Sequence, residues 1–358
     1  MAKQVLRILL TGAGSPAASG FIRSLRLSQD LEFTVIGMDC NSDAVGFHMT
    51  DKHVVGPRAS DAAFIPFVLN ICAKEKVDLI FSLVTDELIK LSEAKEELLR
   101  AGTRILISSA DSLRNVIHKG RLYQSLQTMG MSVPEFRIVN TPADLIHSLY
   151  DLGYPNHPVC FKPVISDGSR GFHILDKNVD RFQMLFREKP SSAHIGEEEL
   201  IRILVGHVEI PETLVMEYLP YEEYSVDLLA ADGKVVVAIP RLREATVGGI
   251  TTKGLITREQ DIIDYAVTVA EGLNLNGNIG VQIRRDRQRN PKIVEINPRI
   301  QGTIVHCTAA GINLPVLAVK QAFGIVPSKE ELGVKWGTRM TRYWEEVFHD
   351  AHGSSYAL

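Results

Sequence analysis

Val294-Glu295-Ile296-Asn297-Pro298-Arg299 is the stretch on which the reading of this chain turns. Glu295 and Asn297 lie two apart on an apolar-flanked run, so a strand aims both at one face. Gln282 sits in a second strand-like run, Ile279-Gly280-Val281-Gln282-Ile283. The connector Asp286-Arg287-Gln288-Arg289-Asn290-Pro291 is polar and turn-prone, which makes the two runs a hairpin. One face of that hairpin then carries a carboxylate, two side-chain amide oxygens and, just beyond, a guanidinium. Magnesium takes few protein oxygens and leaves room for water and substrate phosphates. The pattern therefore fits a magnesium–nucleotide site with an arginine beside the transferred phosphoryl group. An ordinary polar hairpin face can carry the same letters, so the rest of the chain has to be weighed with it.

Upstream, the first third alternates strand and helix patterns. Leu6–Leu10 reads as a strand, Ala17–Leu27 as a helix and Phe33–Met38 as a strand. Phe64–Lys76 is helical, Val77–Val84 a buried strand, Glu87–Ala101 helical and Arg104–Ser108 a strand. That order predicts a doubly wound parallel sheet. A helix is expected over Leu113–Met129, stopped by Gly130-Met131-Ser132-Val133-Pro134. From about Pro158 the pattern changes to strand pairs: Val159–Val164 and Gly171–Leu175, then Leu214–Tyr218, Glu223–Ala230 and Lys234–Ile239. Helices over Asp261–Glu271 and Asn313–Phe323 flank the hairpin, and one further strand is expected near Thr338–Tyr343.

The 358 residues allow two or three domains, and 45% hydrophobic with 23% charged residues is ordinary for a water-soluble globular chain. A net charge of −4 favours neither nucleic acid nor an anionic membrane. No apolar run reaches transmembrane length, and the N-terminus goes straight into a strand, so a cytoplasmic protein without a signal peptide is expected. Cys40, Cys72, Cys160 and Cys307 form no CxxC and read as reduced core thiols. The eleven histidines show no metal-ligand spacing, and His306 reads as packing.

Several side chains suit a nucleotide. Lys162 lies inside Val159-Cys160-Phe161-Lys162-Pro163-Val164, where a charge is costly unless it meets an anion such as phosphate. A lysine on a solvated strand face would look the same. The loop Ser166-Asp167-Gly168-Ser169-Arg170-Gly171 can bring backbone amides close to phosphate oxygens. Met216-Glu217-Tyr218-Leu219 ends one strand and Glu223 opens the next, a hinge able to meet an adenine edge and ribose hydroxyls, or simply a turn with surface acids. Arg241 and Arg243 share a face if their strand continues, and suit a substrate carboxylate or acyl phosphate, or a solvated strand end. Thr11-Gly12-Ala13-Gly14-Ser15-Pro16, with Asp39 ending the next strand, invites a dinucleotide reading. The next glycine is Gly20, however, which breaks the GxGxxG spacing and disfavours an oxidoreductase, so the turn reads as a phosphate- or carboxylate-facing loop or as plain structure.

In the order Lys119, Lys162, Gly-Ser loop, Glu217-Tyr218-Leu219, Glu223, Gln282, Glu295, Asn297 and Arg299, the chain resembles the ATP-grasp ligases. The branch is the one that includes a single half of the carbamoyl phosphate synthetase large subunit and the ligase of pyrrolysine biosynthesis. The resemblance spans roughly residues 5–325, and its most specific pieces are Met216–Pro220 through Glu223–Asp227 and Glu295–Arg299. It implies a mixed α/β and α+β fold. A Rossmann-like leading domain would cover 1–113 and a two-lobed ATP-grasp domain 114–326, with a small lobe to about 218, a large lobe from about 219 and a C-terminal segment over 327–358. It implies that Lys119, Lys162, Ser166, Gly168, Ser169 and Gly171 hold phosphates, that Glu217 and Leu219 meet the adenine with Tyr218 between them in the nucleotide site, and that Glu223 meets the ribose. Gln282, Glu295 and Asn297 would bind Mg2+, with Mn2+ as a substitute. Arg299, Lys162 and Arg243 would act in catalysis.

The implied activity is an ATP-dependent carboxylate–amine ligase working through an acyl phosphate on small-molecule substrates, with a homodimer as the default assembly. The alternative is a catalytically silent nucleotide-binding or regulatory protein of the same fold. Two positions depart from the family pattern: His118 stands where an aspartate commonly precedes the lysine, and Tyr221 where glycine is frequent. A single module without a glutaminase segment is read, so carbamoyl phosphate synthesis by this chain alone is not expected. Acid and amine specificity is expected at the Gly-rich turn after the first strand, at Arg241 and Arg243, and near Gly248.

Overall fold

The computed structural model describes residues 4–166, 170–187, 193–350 and 355–356. It divides into a first unit of residues 1–117, 223–283 and 294–358, and a second of 118–222 and 284–293.

The first unit contains a parallel sheet ordered Lys52–Val55, Leu31–Asp39, Gln4–Thr11, Leu79–Ser82, Arg104–Ile105. Parallel strands covered on both faces need apolar residues at every position, not at alternate ones. The central strand meets that need, since Ile8, Leu9 and Leu10 are all fully buried. Ile8 and Leu10 face a core with Phe21, Ile22 and Leu25 of the helix Ala18–Arg26. Leu9 faces the opposite core with Phe64, Val68 and Ile71 of the helix Phe64–Glu75. The doubly wound reading is therefore observed. The edge strand Lys52–Val55 was not legible, because it is four residues long and largely exposed. The helix expected over 87–101 is broken into a 3-10 turn Thr85–Glu87 and two short helices, Leu88–Glu93 and Lys95–Arg100.

A second sheet of the first unit is ordered Pro291–Asn297, Gly277–Arg285, Glu223–Ala231, Lys234–Val247, Ile250–Ile256, Arg339–Thr341. The strand from Lys234 runs on to Val247, well past the expected Ile239. It turns back through Gly248 and Gly249, at φ +56° and +78°, into a strand that the sequence reading did not separate. A two-residue hairpin with both residues at positive φ favours glycine. The tip of the hairpin that carries Gln282 and Glu295, residues 284–293, is counted with the second unit.

The second unit has an antiparallel sheet ordered Phe136–Val139, Thr213–Glu217, Val159–Pro163, His173–Leu175. Val159, Phe161, Leu175 and Val215 form its core with Leu145 and Leu149 of the helix Pro142–Asp151. The helix expected over 113–129 is two helices, Ala110–Ile117 and Lys119–Thr128, split at His118. Among the described residues no helix is long and apolar enough to cross a membrane.

Candidate functional site

In the first unit the oxygen donors collect on the second sheet. Strand period puts Asn278, Gly280 and Gln282 on one face, while Ile279, Val281 and Ile283 are buried on the other. The neighbouring strand carries Glu295 and Asn297, and Asn297 Nδ2 donates to Glu295 Oε1 at 3.3 Å. Arg243 reaches across the strand Glu223–Ala231. Its Nη1 pairs with Glu223 Oε1 and donates to Gln282 Oε1 at 3.2 Å, and its Nη2 donates to Gly249 O at 2.6 Å. Arg243, Glu223 and Gln282 therefore form one contact group. Arg241 belongs elsewhere. Its guanidinium is buried and donates from Nε to Asp227 Oδ2 at 2.5 Å, and Asp227 also accepts from Gln301 Nε2 at 3.1 Å. Neither reading given for Arg241 from sequence, substrate contact or solvated strand end, describes this structural ion pair.

Arg299 is positioned by the leading sheet. Its Nε donates to Thr85 Oγ1 at 3.1 Å and its Nη1 to Ile300 O at 3.1 Å. Thr85 opens the 3-10 turn just beyond the strand Leu79–Ser82. The same turn supplies Glu87, which only the tertiary structure singles out. It is 8% exposed and accepts hydrogen bonds from Thr11 and from Ser82 Oγ. Burial pushes its carboxyl above the ordinary range, and the Thr11 and Ser82 hydroxyls pull the other way. The Gly-rich turn has a structural use. Asp39 Oδ2 accepts from Gly14 N at 2.7 Å, and Asp39 Oδ1 accepts from Asn41 N. Gly12 sits at φ +72°, where a Cβ would come within 2.4 Å of Val84 Cγ2.

In the second unit, Lys162 is 6% exposed and Lys119 5%, so neither occupies a solvated face. Lys119 Nζ donates to Ser166 O at 2.6 Å and approaches Ser166 Oγ at 3.4 Å. Gly171 adopts φ +70° with Pro163 behind it, so a side chain there would be strained and crowded. Gly168 and Ser169 lie outside the described residues. His118 is the N-cap of the helix that starts at Lys119. Its Nδ1 accepts from Arg121 N at 3.1 Å and its Nε2 lies 3.2 Å from Glu212 Oε2. An acceptor atom at that position is what an N-cap requires, and an imidazole supplies it in place of a carboxylate.

Glu217 accepts from Glu135 N at 3.1 Å, and partial burial pushes its carboxyl upward. Leu219 is buried, and the guanidinium of Arg284 lies 5.3 Å from the ring centre of Tyr218. Tyr221 stacks under Arg289, which also grips both oxygens of Glu222.

Three cysteines are buried as expected, and the Cys72 and Cys160 thiols are pushed up by burial to about 11 and about 12. Cys40 corrects the expectation of core thiols: it follows the last residue of a strand and is exposed. His306 is buried, bonded through Nε2 to Thr338 O at 2.9 Å, and its pKa is lowered first of all by burial. Among the described residues no three His, Cys, Asp or Glu side chains cluster as a metal cage. One carboxylate with two amide oxygens fits magnesium, which completes its shell from phosphates and water.

A parallel-sheet leading segment, an antiparallel small sheet with buried lysines and a larger sheet with an oxygen-lined face define an ATP-grasp architecture. Residues 209–342 match the family model described as ATP-grasp in the biosynthetic pathway with Ter operon, and residues 8–106 match the PylC-like N-terminal domain. The chain is 25% identical over 290 residues to the C-terminal section of the carbamoyl phosphate synthase large chain of Methanopyrus kandleri, covering 75% of this chain and 48% of that protein. It is 24% identical over 304 residues to the arginine-specific large chain of Bacillus subtilis, covering 83% and 27%. The chain thus spans less than half the length of these curated relatives. Among solved structures, biotin carboxylase from Campylobacter jejuni in a β,γ-ATP complex superposes with a TM-score of 0.65 at 18% identity, covering 92% of this chain and 73% of that one. L-amino acid ligase from Bacillus licheniformis gives 0.63 at 17%, covering 93% and 78%. The fold is shared with these ligases.

Proposed function

We propose that the chain is an ATP- and magnesium-dependent carboxylate–amine ligase that works through an acyl phosphate. What supports this reading is the pair of neighbouring strands in the second sheet that carry Gln282 and Glu295 with Asn297, together with Arg243 on Gln282 and Arg299 held by Thr85. Similarity to carbamoyl phosphate synthase sections supports the same reaction class.

In this reading Glu295, Gln282 and Asn297 hold the magnesium, which neutralises charge on the phosphates when bound. Lys119 and Lys162 hold phosphate oxygens, and their burial makes each charge worth more there than in water. Ser166, Gly168, Ser169 and Gly171 form the phosphate loop. Glu217, Tyr218 and Leu219 meet the adenine and Glu223 the ribose. A substrate carboxylate oxygen attacks the γ-phosphorus and the bond to the ADP oxygen breaks. The amine then attacks the acyl carbon, loses a proton and expels inorganic phosphate, leaving an amide. Arg299 and Arg243 stabilise the charge that develops, so catalysis rests on positioning and fixed electrostatics.

The reading predicts that Glu295→Ala and Arg299→Ala each lower turnover by about 10²–10³, the cost of removing one preorganised electrostatic group. ADP release measured across pairs of carboxylic acids and amines tests this. Full turnover in Glu295→Ala would overturn the metal assignment.

A further inference from the structure

Arg299 stands just past the strand Pro291–Asn297, yet one of the bonds that orient it comes from 214 residues away, where Thr85 Oγ1 accepts from its Nε at 3.1 Å. Its Nη1 bond to Ile300 O is to the next residue and travels with the loop. Of these two, the Thr85 bond registers the guanidinium against the leading sheet. Both acceptors are neutral oxygens, which fix the plane and direction of a guanidinium without cancelling its charge. Thr85 is itself firmly placed. Val84 N donates to Ser82 Oγ at 3.3 Å, and Ser82 Oγ donates to Glu87 Oε2 at 2.7 Å. Glu87 also accepts from Thr11, so the 3-10 turn that Thr85 opens is tied at its far end to two strands of the parallel sheet. A threonine at the head of a turn commonly bends its hydroxyl back onto its own backbone. Here, among the described residues, the Thr85 hydroxyl meets only Arg299.

We propose that Thr85 is a positioning residue for phosphoryl transfer: its hydroxyl holds the Arg299 guanidinium in the orientation that meets the transferring group, and the turn anchored by Glu87 holds Thr85. The leading sheet thereby takes part in the chemical step through Arg299. An arginine freed from this bond spends less time in the productive orientation. The loss falls on the transition state, where the charge to be met is largest. Ground-state binding of ATP, which rests on other groups, changes little. The inference rests on the ligase reading for what Arg299 does, and on the Thr85 bond for how it is held.

The test measures ADP release from Mg-ATP by the full chain, with the acid–amine pair that releases most, or with water as the acceptor where no pair exceeds it. Thr85→Val keeps the shape and removes the acceptor. It is expected to lower kcat by about tenfold or more with little change in KM for ATP, the effect of losing one hydrogen bond to a charged group. Thr85→Ser is expected to recover most of the loss, and Thr85→Ala replaces the valine variant if that does not fold. A double-mutant cycle gives a readout that a merely structural role would not move. In an Arg299→Ala background Thr85→Val is expected to cost nothing further, because the group it positions is gone. A second readout needs no turnover: the Arg299 Nε–H signal in heteronuclear NMR spectra, identified by its loss in Arg299→Ala, is expected to shift and to exchange with solvent faster in Thr85→Val. Unchanged kcat in Thr85→Val beside a large loss in Arg299→Ala overturns the proposal alone, as does an additive cycle or an unchanged Nε–H signal. Full turnover in Arg299→Ala, or no ADP release by wild type, overturns the ligase reading and the proposal with it.

Discussion

Glu87 shows how one buried carboxyl can tie two strand ends together. Thr11 ends the first strand and Ser82 the fourth, and both hydroxyls donate to the same carboxylate. Desolvation raises its folded-state pKa above the ordinary 4.5. A raised carboxyl pKa contributes stability that is fully present below the unfolded value and is lost as pH rises through the folded value. Glu87→Gln keeps an acceptor for both hydroxyls and removes the charge. Its stability relative to wild type is therefore expected to rise as pH climbs above about 4.5, whatever fixed cost the new amide brings. Urea unfolding of both proteins at several pH values between the acid limb and pH 8 measures this, and a pH-independent difference would count against it. The residue was invisible in the sequence, since a glutamate opening a Glu- and Lys-rich stretch looks solvated.

At the scale of elements, the split at His118 decides where Lys119 points. A continuous helix over 113–129 would have left the lysine in mid-helix. The break makes it the first residue of a new helix, with its ammonium on Ser166. His118→Ala removes the cap and is expected to cost about 1 kcal/mol, within the roughly 0.5–2 kcal/mol of N-cap losses. His118→Asp is expected to restore it, because either side chain offers an acceptor to Arg121 N. Denaturant midpoints for the three proteins give the comparison. If the cap also sets the lysine, KM for ATP rises in the alanine variant and recovers in the aspartate variant. The hairpin of Gln282 and Glu295 was legible because strand period and turn residues agreed. The splitting of 87–101 was not, because most of its residues are good helix formers, none is Gly or Pro, and packing decides where such a run bends.

For the whole molecule, a ligand that binds only the folded chain stabilises it by mass action. Mg-ATP at about a hundredfold excess over its Kd is expected to add about 2.7 kcal/mol, read as a rise in Tm. NADH is expected to add nothing, since Asp39 is engaged with Gly14 and Asn41. Glu295→Ala is expected to lose most of the magnesium-dependent part of the shift while keeping the unliganded Tm. A shift with NADH and none with Mg-ATP would remove the nucleotide reading at its root.

By itself the sequence determined the order of elements, the parallel leading sheet, the hairpin that carries Gln282 and Glu295, and a resemblance that pointed to nucleotide chemistry. These are local properties: they follow from periodicity, turn residues and short spacings along the chain. Only the tertiary structure decided that Arg241 is spent on Asp227 while Arg243 stands on Gln282 and Glu223, that Thr85 holds Arg299, and that Glu87 and Asn278 are buried. Those outcomes join residues far apart in the chain, and whether a polar group is solvated, paired or left waiting for a partner depends on what packs over it.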